Sequence, residues 1–169
     1  MRKRLLATTT LALAAGSVAA GCGGGDDTTT VSGASGATGA QGAPLSKQAF
    51  LAKGNEICKK GNQTLDHEVA KYLKSLGLSE NQQPTSAQFD ELATKTAIPN
   101  IQAQITAIEA LPAPSGDEDQ VKAITDGAQQ ALDKAKSDPA LLQQNGSSDP
   151  FASVNKLTKQ YGLDECASS

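Results

Sequence analysis

The stretch from Gly23 to Pro44 most constrains what this chain can fold into. Apart from its final proline, it consists of Gly, Ala, Ser, Thr, Asp and Gln with one large apolar side chain, Val31. Such a stretch buries too little apolar surface to offset the entropy lost when its backbone is ordered. The chain therefore divides into a leader (residues 1–21), a segment containing a flexible tether (22–44) and one domain (45–169), which is long enough to bury a core.

The first 21 residues have the order of a secretory signal peptide. Three basic residues at positions 2–4 give the chain a positive start. An apolar run from Leu5 to Ala15 follows, and small residues precede Cys22. The run is too short to cross a bilayer, which takes a helix of ~20 residues. This order predicts export and cleavage, so the leader takes no part in the fold.

Residues 18–22, Val-Ala-Ala-Gly-Cys, resemble the lipobox of bacterial lipoproteins, with Ala19 where that family usually has Leu. The resemblance covers the first 22 residues. It implies that the Cys22 thiol receives a diacylglycerol, that the chain is cut before Cys22, and that the new amino group is acylated, for example with palmitate. Two or more acyl chains hold a protein stably at a membrane. We therefore expect a lipid-anchored domain on the extracytoplasmic side of the cell membrane; the alternative is a plain signal peptide followed by a chance cysteine.

The charge balance of the mature chain limits its partners. The full sequence has 15 basic and 18 acidic residues, and loss of the three leader bases leaves 12 against 18, a net charge of −6. An acidic exported domain is not typical of nucleic-acid binders or of domains that dock on anionic lipid. The absence of Trp and the 3% aromatic content disfavour stacking sites for sugars or bases.

The two remaining cysteines, Cys58 and Cys166, are expected to form a disulfide, because an exported domain lies in an oxidising compartment. The bond would close a loop of about a hundred residues, for which the chain-entropy model gives roughly 4–5 kcal/mol of stabilisation. Two free buried thiols are the alternative. Two cysteines alone provide too few ligands for a structural zinc site.

Apolar periodicity predicts helices and no strand. From Ser46 to Leu76, the large apolar residues fall on one stripe of a helical wheel, and Gly54, Cys58 and Gly61 lie on the same stripe. Glycines on a buried helix face allow a neighbouring backbone to approach closely, or else they only weaken the helix. The wheel therefore predicts one long helix with a tight crossing and with Cys58 facing inward.

Capping signals divide the rest of the domain into about three further helices. Thr85 with Gln88 matches a capping box, and the helix that follows is either kinked or split by Pro99. Ser115 with Glu118 matches a second capping box at the start of the next helix.

The last predicted helix has Asp149 as its N-cap and Pro150 at its first position, and it stops at Gly162, with Leu163 folded back as in a Schellman motif. Its predicted buried face consists of Phe151, Val154, Leu157 and Tyr161. With about four main helices joined by short connections, the chain is predicted to be an all-α helical bundle that is cross-linked by one disulfide.

Few side chains in the domain suggest chemistry. His67, the single histidine, lies opposite the apolar stripe and is expected to be solvated. One histidine cannot form a zinc-binding pair, and loss of Met1 removes the single methionine that could ligate haem. The acids at positions 117–119 are explained by the dipole of a helix N-terminus. Asp66, at the edge of the stripe, is the least unfavourable candidate for a catalytic acid or base, and we expect no metal and no cofactor.

Three segments resemble a group of small uncharacterised secreted bacterial lipoproteins. These are residues 45–62 (LSKQAFLAKGNEICKKGN), 108–121 (IEALPAPSGDEDQV) and 154–169 (VNKLTKQYGLDECASS). The group has a cysteine in its first helix, a Leu-Pro-x-Pro turn and a Tyr-Gly-Leu-x-x-Cys ending. The resemblance implies the Cys58–Cys166 pairing and brings no catalytic residue with it.

These features favour a non-enzymatic, membrane-anchored module that binds an envelope protein or a small apolar ligand, or that only occupies surface. The alternative is an enzyme of the cell envelope that acts on peptidoglycan or lipid with carboxylates only, for which Asp66 is the candidate.

Overall fold

The computed structural model describes residues 43–78 and 82–167. Within these two ranges the chain is helical and has no strand, which confirms the predicted all-α bundle. The predictions for the leader, Cys22 and the tether lie outside the described residues. The α-helices are α1 (Lys47–Ser75), α2 (Ser86–Leu92), α3 (Ile98–Glu109), α4 (Glu118–Ser137) and α5 (Ala152–Tyr161).

Helix α1 is the long helix that the wheel predicts. Its N-cap is Ser46, whose side chain accepts a hydrogen bond from the Ala49 N–H at 3.2 Å. The buried residues of its first half are Phe50, Gly54 and Cys58. In the second half, the apolar side chains that share this stripe are only half-buried, so the interior is less tightly filled at that end.

Helices α2 and α3 form one continuous helix through a π-helical segment, Ala93–Ala97. The Ile98 N–H donates to the carbonyl of Ala93, five residues earlier, and Pro99 lies in the first turn of α3. A proline has no N–H, and its ring crowds the carbonyl four residues before it in an α-helix. The wider π turn accommodates Pro99 without ending the helix, so the chain forms one continuous helix here rather than two short ones.

The start of α4 differs from the prediction. Gly116 has φ +87°, and the N-cap is Asp117 rather than Ser115. The predicted capping box is therefore wrong, and the Glu118 carboxylate instead accepts from the Gly116 N–H at 2.7 Å. Asp117 makes no side-chain capping bond, and its carboxylate accepts the hydroxyl of Tyr161 at 2.9 Å.

Helix α5 begins at Ala152, and its N-cap is Phe151 rather than the predicted Asp149, because the Asp149 carboxylate accepts the Phe151 N–H in a turn that precedes the helix. Its buried face differs from the prediction at one position. Leu157 was expected to be buried but is 43% exposed. The buried neighbour is Thr158, whose Oγ1 donates to the Val154 carbonyl at 2.8 Å. Because this bond satisfies the hydroxyl, the threonine can occupy an interior position that the apolar pattern assigned to leucine.

The predicted Schellman motif ends α5. Gly162 has φ +103°, and the Leu163 N–H donates to the Thr158 carbonyl at 3.0 Å. Leu163 is 1% exposed and packs against α1, where a Cβ on Gly54 would lie only 2.5 Å from Leu163 Cδ2. The close approach predicted at Gly54 is thus made by a side chain rather than by a neighbouring backbone.

The disulfide between Cys58 and Cys166 is present, with the two Cα atoms 5.0 Å apart and a sequence separation of 108. Two amides of α1 bind the same C-terminal turn. Asn55 Oδ1 accepts the Glu165 N–H at 2.9 Å, and Asn62 Nδ2 donates to the Glu165 carbonyl at 3.0 Å. The end of the described chain is therefore held to α1 by a covalent bond and by two side-chain amides.

The buried core consists of two clusters. The larger surrounds the disulfide and contains Phe50, Cys58, Ile108, Val121, Ile124, Val154, Tyr161 and Leu163. The smaller contains Ile98, Ile105 and Leu132. Ala128 and Phe151 are half-buried and pack against both clusters, so they lie where the two clusters meet.

Candidate functional site

A cavity of about 610 Å³ lies between the helices. Its volume falls within the ~300–1,000 Å³ that is usual for small-molecule sites. Its wall includes both disulfide cysteines and extends along α1 from Cys58 to Val69. At ~1.5 Å of rise per residue, this is a length of about 16 Å.

One side of the cavity is formed by α1 together with α2 and α3. Leu65 and Val69 line it from the second half of α1, and Phe89 of α2 and Ile101 of α3 line it as well. All four side chains are half-buried. They form the wall of a cavity rather than the closed core that the apolar stripe predicted.

The other side of the cavity is formed by α4, α5 and the 3₁₀ turn Pro139–Gln143 that follows α4. Its apolar residues are Ile124, Ala128, Leu142, Phe151 and Val154. Ala128 of this side and Ala97 of the π-helical segment also line the cavity.

The interior polar groups of the cavity are two hydroxyls. Thr125 Oγ1 donates to the Lys122 carbonyl at 3.3 Å, and Thr158 Oγ1 donates to the Val154 carbonyl at 2.8 Å. Across the described ranges, every buried side-chain nitrogen and oxygen has a hydrogen-bond partner. The inner wall is therefore suited to an apolar ligand body, which asks for no hydrogen bond.

The other polar side chains that line the cavity are exposed or half-buried, and we call this set the rim. The rim consists of Asn62, Asp66, Gln104, Gln144, Asn145, Asp149 and Asn155. Asp149 Oδ1 accepts the Phe151 N–H at 2.8 Å, which fixes this carboxylate before α5. No Lys, Arg or His belongs to the lining that the described residues form, so the rim carries two acids and no base.

The structure separates the residues that were considered as candidates for chemistry. Asp66 is exposed and lines the cavity. The adjacent His67 is also exposed but lies outside the lining, as the wheel predicts. Cys58 and Cys166 are joined to each other.

In residues 43–78 and 82–167, no three His, Cys, Asp or Glu side chains are grouped so as to hold a metal ion. The helices described there include none that is both long and apolar enough to span a bilayer.

A cluster of three side chains joins α1, α4 and α5 outside the cavity. Asp117 accepts the Tyr161 hydroxyl and pairs with Lys47 Nζ at 3.2 Å, and Lys47 Nζ also lies 4.4 Å from the Tyr161 ring centre. The Tyr161 hydrogen bond, followed by that of Lys47, holds the pKa of Asp117 below its ordinary value of 3.8. Burial, followed by the hydrogen bond to Asp117, raises the pKa of Tyr161. The cluster has a structural role at the end of the bundle where α1 begins.

Sequence reasoning missed the cavity and the presence of Asp149 in its rim. It treated Asp149 only as a helix-capping residue, and it read every inward apolar side chain as core. Small inward residues are not a sufficient signal, because Ala128 lines the cavity whereas Ala131 and Ala135 of the same helix are buried in the core.

Comparison of the chain with family models, with curated proteins and with solved structures gives no match. The features that bear on function are therefore the cavity, its rim and the N-terminal sequence.

Proposed function

We propose that this protein is a membrane-anchored extracytoplasmic lipoprotein that binds a small apolar ligand between its helices and catalyses no reaction. The single observation that carries the binding function is the cavity of about 610 Å³ with an apolar inner wall and a polar rim. Concave, mostly apolar sites with a few polar groups at the edge are the usual form of a small-molecule site.

The anchor in this proposal is supported by the sequence of residues 18–22 and by the tether that follows. Acyl chains on Cys22 would enter the membrane, and the 22 residues from Gly23 to Pro44 would link them to the domain. A glycine-rich chain of that length has a root-mean-square reach of roughly 25 Å. The domain would therefore stay near the membrane surface and remain free to exchange ligand with it.

Replacing Cys22 tests the anchor. The Cys22→Ser variant, expressed in a bacterium that processes lipoproteins, should move from the membrane fraction to the soluble fraction and should incorporate no labelled fatty acid. The native chain should remain in the membrane fraction and should incorporate labelled fatty acid. Retention of Cys22→Ser in the membrane fraction would contradict the anchor.

A filled cavity tests the binding function. The chain has no Trp, so we use the neutral fluorophore Nile red as the probe and titrate it into the mature chain that carries Cys22→Ser. Ala128→Phe places a ring in the cavity. Ala123→Phe is the matched control, because Ala123 is exposed on the same helix and lies outside the lining.

We expect saturable binding of one Nile red to the parent chain and to Ala123→Phe, and at least a tenfold loss of affinity in Ala128→Phe. Val69→Phe fills the cavity from the opposite side, so the test stands even if one variant fails to fold. Thermal unfolding followed by circular dichroism checks that each variant is folded. If folded Ala128→Phe and folded Val69→Phe both bind Nile red as tightly as the parent chain does, Nile red binds outside the cavity and the proposal is overturned.

One observation favours an enzyme as the second candidate, namely that Asp66 and Asp149 line the same cavity. A pair of carboxylates is the minimum set for acid–base cleavage of a glycosidic or ester bond. If the mature chain cleaves peptidoglycan or lipid, Asp66→Asn should lower the turnover by a factor of about 100 or more, which is the usual range for loss of a general acid or base. Unchanged turnover in Asp66→Asn would remove this role.

A further inference from the structure

We infer that the ligand is a single-chain amphiphile with a positively charged polar end, with its chain inside the cavity and its charge at the rim. This inference rests on the proposed binding function and adds the chemical class of the ligand. It draws on the shape of the cavity and on the charges at its rim.

The shape of the cavity favours one extended chain. The lining follows α1 for about 16 Å, as the helical rise gives, and it includes apolar side chains of α1, α3, α4 and α5. The buried hydroxyls of Thr125 and Thr158 already donate to backbone carbonyls, so only their oxygens can still accept a hydrogen bond. A ligand with polar groups along its whole length would leave most of those groups without partners, which is costly in an apolar interior.

The charges of the rim favour a cation at the polar end. Asp66 and Asp149 belong to the rim, and the described lining holds no basic side chain. The amides of the rim add carbonyl oxygens that accept hydrogen bonds from an ammonium group.

Lys59 and Lys60 lie within this part of α1 and Lys71 follows it, and none of the three belongs to the lining. Lys60 binds Glu56 at 2.6 Å, and Lys71 binds Glu68 at 3.5 Å. The two rim acids therefore attract a cation and repel an anion, and this preference weakens as salt screens the exposed carboxylate.

The test compares three ligands with the same ten-carbon chain. Decylamine, decanol and decanoate are each titrated against Nile red bound to the mature chain that carries Cys22→Ser, at neutral pH and low ionic strength. A primary amine is protonated and a carboxylic acid is ionised at that pH. The three ligands therefore differ in the charge of one end and share the same apolar body.

We expect decylamine to displace Nile red at about one-tenth of the decanoate concentration, with decanol between them; a tenfold ratio corresponds to about 1.4 kcal/mol. In Asp66→Asn with Asp149→Asn, the ratio should fall to about threefold or less. Asn keeps the side-chain oxygen that accepts the Phe151 N–H, so the turn before α5 is preserved. Asp90→Asn, an exposed carboxylate outside the lining, should keep the parent ratio.

The outcomes separate this inference from the proposed function. If decanol or decanoate binds as tightly as decylamine, or if the double variant keeps the parent ratio, the inference of a positively charged end is wrong. The cavity would still bind an apolar chain. If Nile red binds the parent chain, Ala128→Phe and Val69→Phe equally well, the proposed function is wrong as well.

Discussion

Gly54 and Gly61 both face the interior from α1, but the side chains opposite them differ. A Cβ on Gly54 would meet Leu163, and a Cβ on Gly61 would meet Gln104. Leu163 is 1% exposed, so it cannot move without disturbing the packed core around the disulfide. Gln104 is half-buried and flexible, so it can turn away from an added methyl group.

The two alanine variants should therefore have different stabilities. For Gly54→Ala we expect the free energy of unfolding to fall by up to about 2 kcal/mol, because overpacking costs about 1–3 kcal/mol and the helix gains about 1 kcal/mol from alanine. Gly61→Ala should stay within about 1 kcal/mol of the parent, since the same gain in helix propensity offsets a smaller cost. Urea unfolding followed by far-ultraviolet circular dichroism measures both. A larger loss in Gly61→Ala than in Gly54→Ala would contradict the packing described here.

The pKa of Asp117 predicts an acid-dependent contribution to stability. The Tyr161 hydrogen bond and the Lys47 ion pair lower this pKa in the folded chain, so folding favours the ionised carboxylate. The contribution is complete above the unfolded pKa of about 3.9 and is lost as the pH falls through the lower folded pKa. Asp117→Asn should therefore be less stable than the parent at pH 6, and the gap should narrow as the pH falls below about 3.9.

Asp119→Asn is the matched control for this prediction. Asp119 is exposed in the same turn of α4, so its variant removes one charge near the helix N-terminus without affecting Tyr161 or Lys47. Unfolding curves at several pH values should show a smaller effect for Asp119→Asn than for Asp117→Asn at pH 6. Equal pH profiles for the two variants would show that the tertiary contacts of Asp117 are not the cause.

Among the helices, α2 is the shortest and depends most on its cap. Its seven residues begin with a capping box in which Thr85 Oγ1 accepts the Gln88 N–H and Gln88 Oε1 accepts the Thr85 N–H at 2.9 Å. Tyr72 of α1 donates to the Gln88 carbonyl at 3.0 Å, which ties the same turn to α1. The capping box therefore fixes both the start of α2 and its contact with α1.

Removal of this cap should be measurable. Thr85→Ala is expected to lower the free energy of unfolding by about 1 kcal/mol, the usual cost of replacing a threonine N-cap by alanine. Ser86→Ala, one residue later and exposed, should change the stability by less than about 0.5 kcal/mol, as surface substitutions usually do. Equal thermal midpoints for the two variants would argue against the capping box.

The sequence predicted the helices well because their signals are local. The stripe on α1, the Thr85–Gln88 box and the Gly162 stop all depend on residues within a few positions of one another. The errors arose where a distant contact competes with a local one. The Ser115–Glu118 box looked correct locally, but the structure places the N-cap at Asp117, whose carboxylate binds Tyr161 of α5.

The disulfide is the largest single constraint on the domain. It joins the first helix to the C-terminal turn across 108 residues, and it thereby restricts almost the whole unfolded domain. For a loop of this length, the chain-entropy model gives roughly 4–5 kcal/mol. Cys58→Ala with Cys166→Ala should lower the free energy of unfolding by up to about that amount.

Urea unfolding of the oxidised, reduced and doubly substituted chains checks this prediction. The reduced chain and the double variant should unfold at similar, lower urea concentrations. The mass of the native chain should rise by two hydrogens on reduction. Equal masses, or equal urea midpoints for all three forms, would contradict the role of the disulfide.

The cavity could not be predicted from the sequence, because helical wheels show which residues face inward and not how far apart the helices lie. Leu65, Val69 and Ile101 have the pattern of core residues, and only the packed bundle shows that they are half-buried around a shared space. Asp66 was found as a candidate because it lies at the edge of a local stripe. Asp149 was missed because it reaches the same rim from a distant loop.

The location of a bound ligand tests the central claim most directly. Nuclear Overhauser effects between decanol and methyl groups of the mature chain carrying Cys22→Ser report which side chains the alkyl chain contacts, and the uncharged head group makes the result independent of the rim charges. The account predicts contacts to Val69, Ile101 and Ile105, which line the cavity. Contacts confined to Leu157, which is exposed on α5, or the absence of any contact at saturation, would contradict it.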